Sequence, residues 1–203
     1  MADGLLAPPD REEINLLPIV KYRGPVRVVY NAKDLPKIIG MLRKEALLGF
    51  DIECRPSFSK GESYPPALLQ LAAAEEVFLF PLRSEIFLEA LIPIFSDSGI
   101  IKAGVAISDD LKKLQALKQF TASAFVDLGA MASKAGLQAS GIRTLAAQLL
   151  GWRISKGERC SNWERTKLSF RQLTYAATDA WISRRLYLHL DSLLKDKASI
   201  QAD

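Results

Sequence analysis

Three apolar runs crowd one stretch of the chain: LLGFDIE at residues 47–53, PALLQLA at 66–72 and VFLFPL at 77–82. Each has the length and composition of a strand, and the connections are too short for crossover helices, so the second and third run antiparallel with the first as a meander. From residue 84 the rhythm changes. A helical stretch (85–95), the strand-like IIKAGV (100–105), a second helical stretch (about 108–119) and FVDLGAM follow one another. Strands alternating with helices argue for parallel additions to the same sheet. Upstream, VRVVY (26–30) reads as a strand, and Leu35, Ile38, Ile39 and Leu42 mark an amphipathic helix within 33–47. Helical stretches at about 142–150 and 169–195 complete the pattern. The expected fold class is α/β, with a mixed central sheet, an antiparallel meander followed by parallel strands, flanked by helices.

A chain of 203 residues, 49% hydrophobic and 25% charged, can bury one substantial core. Residues 1–25 show no sustained period and read as an arm, 26–195 as the domain and 196–203 as a tail. No apolar run approaches the roughly 18 residues of a bilayer span. The start MADGLLAPPDREE lacks the basic head and apolar centre of a secretory signal, so the cytoplasm is the expected compartment. Cys54, Cys160 and the single His189 cannot build a closed zinc site, and any metal must be held by oxygen. The net charge of +4 permits a polyanionic partner.

The first strand carries an anomaly. Side chains alternate across a strand, so Phe50 and Ile52 point to one face while Asp51 and Glu53 point to the other. Two carboxylates about 7 Å apart along a strand repel, and desolvating them uncompensated costs several kcal/mol. Either positive charge gathers beside them or the strand ends there in a solvated acidic face. Two further stretches bear on the choice. GVAISDDLKKL (104–114) runs from a strand into a helix and sets Asp109 and Asp110 where ligands gather in open sheets. Helix capping accounts for one of the two. In LTYAATDAWISRRLY (173–187), Tyr175 and Asp179 stand four residues apart on one helical face, either as a surface pair or as part of a site.

FDIE, GVAISDDLKKL and YAATD, in that order and joined by PALLQLA and CSNWERTKLSFRQLTYAATD, resemble the ribonuclease D and Werner-type exonuclease family. This is the tyrosine branch of the four-carboxylate (DEDD) 3′-5′ exonuclease superfamily, and the resemblance covers residues 26–190. It implies a ribonuclease H-like fold and catalytic roles for Asp51, Glu53, Asp110, Tyr175 and Asp179. Matching the glycine-valine start of the second motif selects Asp110 and leaves Asp109 to cap the helix. The histidine branch of the superfamily needs a His where Thr174 stands. By the same resemblance, Asp51, Glu53, Asp110 and Asp179 hold two divalent cations, Mg²⁺ or Mn²⁺, and Tyr175 orients the attacking water. The implied activity is metal-dependent hydrolysis from the 3′ end of single-stranded DNA or RNA, or of 3′ overhangs, releasing nucleoside 5′-monophosphates. A nucleic-acid-binding module that acts through contacts or a partner, and an endonuclease, are the alternatives on such a fold.

For the substrate, WRISKGERCSNWERTK (152–167) interleaves Lys156, Arg159 and Arg165 with Trp152 and Trp163, a mixture that suits a single strand. A solvated basic loop with tryptophans anchored in the core is the other reading. RPSFSKGESYPP (55–66) abuts the acidic strand and offers Arg55, Phe58 and Lys60 as contacts to a 3′ end. Cys54 reads as a packing residue, and Gln70 as a polar contact within the sheet.

Overall fold

The computed structural model describes residues 6–57, 59 and 61–202. Among them the helices are α1 (Arg11–Leu16), α2 (Leu35–Leu42), α3 (Glu85–Phe95), α4 (Ile107–Leu117), α5 (Leu128–Lys134), α6 (Ile142–Leu150) and α7 (Phe170–Ala202). The strands are β1 (Val26–Val28), β2 (Leu47–Cys54), β3 (Pro66–Ala72), β4 (Val77–Pro81), β5 (Ile101–Gly104) and β6 (Phe125–Asp127). They form one mixed sheet in the order β1-β4-β3-β2-β5-β6. The meander is antiparallel, β2 with β3 and β3 with β4, while β5 joins β2, β6 joins β5 and β1 joins β4 in parallel. This is the α/β architecture that the strand spacing requires.

Alternation along the three meander strands decides what covers each face. Phe50, Ile52, Leu69, Leu71, Phe78 and Phe80 meet Leu35, Ile38 and Leu42 of α2 and Leu88, Leu91 and Phe95 of α3 in one apolar layer. Leu68, Ala72, Val77 and Leu79 face the other way, onto Ala176, Ala177 and Ala180 of α7. Alanines on the helix and Gly49 on the strand let α7 come very close to the sheet. A Cβ built on Gly49 lies 1.9 Å from the Ala180 carbonyl oxygen and 2.9 Å from the Arg184 nitrogen, so only glycine fits there.

Lys102 of β5 is a charged residue in the core. It is fully buried, its Nζ donates to the carbonyls of Ile94 (3.0 Å) and Asp97 (2.8 Å), and it lies 5.0 Å from the centre of the Phe125 ring. The ammonium thereby satisfies carbonyls at the C-terminal end of α3, where the helix dipole favours a cation.

The N-terminal segment has more structure than its lack of period indicates. Asp10 caps α1, with the Glu13 N–H donating to Asp10 Oδ1 and the Asp10 N–H to Glu13 Oε2, both at 2.8 Å. Beyond it the chain docks on the body. The Val20 N–H donates to the Arg153 carbonyl and the Arg153 N–H to that of Pro18, both at 2.9 Å, and the Tyr22 N–H donates to Thr178 Oγ1 at 3.0 Å. At the other end, α7 continues through the stretch after Lys195 that reads as a tail. Among the described residues no helix is long and apolar enough to cross a membrane.

Candidate active site

Gly49, Asp51 and Glu53 share the face of β2 that receives α7. The contact at Gly49 brings the following residues of β2 and the Asp179–Ala180 turn of the helix together. As a result, carboxylate oxygens of Asp51, Glu53 and Asp179 all lie within 4.8 Å of one another. Asp179 is only 7% exposed. Tyr175, one turn earlier on the same face of α7, stands beside it, and its ring packs 6.0 Å from Trp163, which is buried at 2% exposure and serves as a core anchor.

Asp110 comes from the first turn of α4. That helix starts abruptly, because Ala106 takes a left-handed conformation (φ 55) directly after β5. No side chain of its own first residues caps it, and Asp127 does so from β6. The Ile107 N–H donates to Asp127 Oδ2 at 3.2 Å, and the other oxygen of the same carboxylate accepts the Ala130 N–H at 3.0 Å at the start of α5. Asp109 therefore does not cap α4, contrary to the expectation from the sequence. It faces solvent and pairs with Lys112 at 2.9 Å. Asp110 turns inward, outside the group of three but close enough for its charge to act on Asp51 and Glu53.

The electrostatics follow from crowding like charges where water is scarce. Burial, then the charges of Asp179 and Asp110, hold the Asp51 carboxyl well above its ordinary value. Burial followed by Asp51, Asp179 and Asp110 pushes Glu53 up to about 10, with Arg159 opposing. Burial raises Asp110 to about 6 against the pull of Lys113. It raises Asp179 to about 7 against the Tyr175 hydrogen bond and the Arg143 charge. The Tyr175 hydroxyl is itself pushed well above its usual range by burial and then by Asp179 and Glu53. A site of this kind cannot hold its full negative charge alone. An all-oxygen donor set under mutual repulsion fits hard divalent cations.

The residues around the carboxylates divide. Arg159 lies near enough to Glu53 to stabilise its charge, while Lys156 and Arg165 are exposed on the same segment. Arg55 pairs with Glu164 at 3.6 Å and lies 4.8 Å over the Tyr64 ring. Phe58 and Lys60 lie outside the described residues. Arg143 is a residue the sequence reading passed over. From α6 its charge acts on Tyr175 and Asp179, and its Nε donates to the Ile154 carbonyl at 3.2 Å. Its one signal is being the lone charge in IRTLAAQLL. Gln70 stands opposite Asp51 in the β2–β3 register. It does not make the polar contact expected of it: it is fully buried, and neither amide atom has a hydrogen-bond partner among the described residues.

Comparison with known proteins places the stretch that carries these residues in one family. Residues 26–195 match the family model described as 3'-5' exonuclease. The bifunctional 3'-5' exonuclease/ATP-dependent helicase WRN of Mus musculus is 31% identical over 187 residues, covering 87% of this chain and 13% of that protein. The chain thus spans a small part of that curated relative's length. In fold it is similar to the Aedes aegypti Nibbler EXO domain, with a TM-score of 0.77 at 21% identity over 87% of this chain and 93% of the other. The Trypanosoma brucei RNase D complex with RNA U12 gives a TM-score of 0.74 at 19% identity, over 83% and 63%. The matched stretch covers most of the chain and contains every strand of the sheet, and the chain belongs to the 3'-5' exonuclease family.

Proposed function

We propose that the protein is a metal-dependent 3′-5′ exonuclease acting on single-stranded nucleic acid or 3′ overhangs and releasing nucleoside 5′-monophosphates. The observation that carries this reading is the meeting of Asp51, Glu53 and Asp179 within 4.8 Å beside Tyr175. Asp51, Glu53, Asp110 and Asp179 would hold two cations, Mg²⁺ or Mn²⁺. When bound, such cations activate water and neutralise charge on the phosphate oxygens.

The chain's own groups supply position. A tyrosine whose hydroxyl is held above its usual pKa keeps its proton, so Tyr175 orients the attacking water rather than deprotonating it. Arg159 and Arg143 place positive charge beside Glu53 and Asp179 and offset part of the repulsion. Nucleic acid as the ligand class is supported by the RNA found with the Trypanosoma brucei RNase D.

The test uses 5′-labelled single strands of matched RNA and DNA with Mg²⁺ and with Mn²⁺. Stepwise shortening from the 3′ end, abolished by chelation and restored by either cation, is expected. Binding without shortening would make the protein a nucleic-acid-binding module, and cutting of circular strands would make it an endonuclease.

A further inference from the structure

A cavity of about 360 Å³ lies between the N-terminal segment and α7. This is the size of a small-ligand site. Tyr175, Thr178 and Asp179 line one side, so the cavity adjoins the carboxylate site. Ile19, Val20 and Lys21 line another, and these residues precede the stretch that matches the exonuclease family.

The segment is fixed on both sides of Lys21. Val20 is held by Arg153, the Tyr22 N–H by Thr178, the Tyr22 hydroxyl donates to the Glu75 carbonyl at 3.2 Å, and the Tyr22 ring packs 5.7 Å from Trp181. Thr178 and Asp179 are neighbours on α7, so the wall is attached directly to the helical turn that carries the site. The Lys21 and Arg171 side chains are exposed, and neither is in an ion pair among the described residues. Phe170, also in the lining, is 78% exposed. Two cations outside any such ion pair, set against the Glu158 carboxylate in the same lining, and an uncovered aromatic ring around one cavity are the elements that bind a single strand, by phosphate neutralisation and base stacking.

We propose that the N-terminal segment completes a subsite for nucleotides at the 3′ end of a single strand, with Lys21 and Arg171 contacting backbone phosphate and Phe170 stacking on a base. The proposal rests on the exonuclease reading for the polarity of the strand. It assigns to residues outside the family match a direct part in holding substrate. Lys21 sets affinity and leaves the chemical step alone, because the acids and Tyr175 are supplied by other elements.

The experiment measures fluorescence anisotropy of a 5′-labelled single strand of about eight nucleotides with chelator present, so that binding is read without hydrolysis. Wild type, Lys21→Ala, Lys21→Arg, Phe170→Ala and the control Lys37→Ala on α2 are compared. Lys21→Ala should weaken binding several-fold and lower the slope of log Kd against log salt by about 0.7. Lys21→Arg should restore both, and Phe170→Ala should weaken binding about fivefold or more. Lys37→Ala should do neither. In turnover, Lys21→Ala should raise KM and leave kcat unchanged. Unchanged Kd and salt slope for Lys21→Ala, or an equal change for Lys37→Ala, overturns the subsite while leaving the exonuclease reading intact. Wild type that binds but does not shorten the strand overturns that reading, and the anisotropy series still decides the subsite. Wild type that does not bind single strands overturns the subsite outright.

Discussion

Replacing Gly49 by alanine tests how the site is assembled. The added methyl would sit 1.9 Å from the Ala180 carbonyl oxygen, against 3.4 Å for ordinary contact, so strand and helix must separate by about 1.5 Å. Overpacking of this kind costs about 1–3 kcal/mol. The obstacle here is backbone, which cannot swing aside, so the upper end applies. Alanine recovers roughly 0.5–1 kcal/mol over glycine through lower unfolded-chain entropy, leaving a net loss of about 2 kcal/mol. The displacement acts between the elements that carry Asp51 and Asp179. A misplacement near 1 Å costs about 100-fold in rate. Urea unfolding should show a lower midpoint at unchanged slope, and the labelled-strand assay at a temperature where the variant is folded should show the rate loss. Trimming Ala180 to glycine should not rescue either, because the clash is with its carbonyl oxygen. A Gly49→Ala protein with wild-type midpoint and rate would refute the claim that this contact sets the helix on the strand.

Asp51→Asn should abolish hydrolysis yet raise the stability of the metal-free protein by about 1–2 kcal/mol, since burial and like charge already penalise that carboxylate; calorimetry showing a loss of stability would count against the repulsion. Tyr175→Phe should keep the fold and metal binding and slow turnover by about 10² or more, read by single-turnover kinetics beside metal titration. Burial lowers the Lys102 amine to about 8 from its ordinary 10.5. Its charged form is therefore penalised in the fold, the penalty is complete below pH 8, and it is relieved between pH 8 and 10.5 as the folded protein gives up the proton first. Wild type should gain stability relative to Lys102→Met across that window, by up to about 3 kcal/mol, and parallel unfolding curves for the two would contradict it.

The meander and the alternation after it were legible because apolar runs, turn lengths and helical period are local properties. Asp51 and Glu53 were legible for the opposite reason, as charge where the local pattern demands hydrocarbon. Asp109 and Asp110 show the limit. Adjacent on a helix, they face different directions, and which one turns inward depends on where the helix starts. That start is set by the left-handed Ala106 and by Asp127, seventeen residues after Asp110. The docking of residues 18–22 was illegible, since its partners at Arg153 and Thr178 are far along the chain. The capping box at Asp10 and Glu13 was present in the sequence and passed over, because a helix of six residues shows too little period to draw attention. Arg143 is the lone charge on an apolar helix, and its bearing on Tyr175 and Asp179 depends on α7 lying beside it.

The attachment of α7 over Gly49 also fixes when the site comes into being. Asp51 and Glu53 are made early, and 126 positions separate Glu53 from Asp179. Until residue 179 has been made, the two acids lack the third member of their cluster. The docking of α7 then brings Asp179 to them and adds its charge to the repulsion already acting among Asp51, Glu53 and Asp110. The acid cluster therefore belongs to the sheet and the docked helix together, and neither carries it alone.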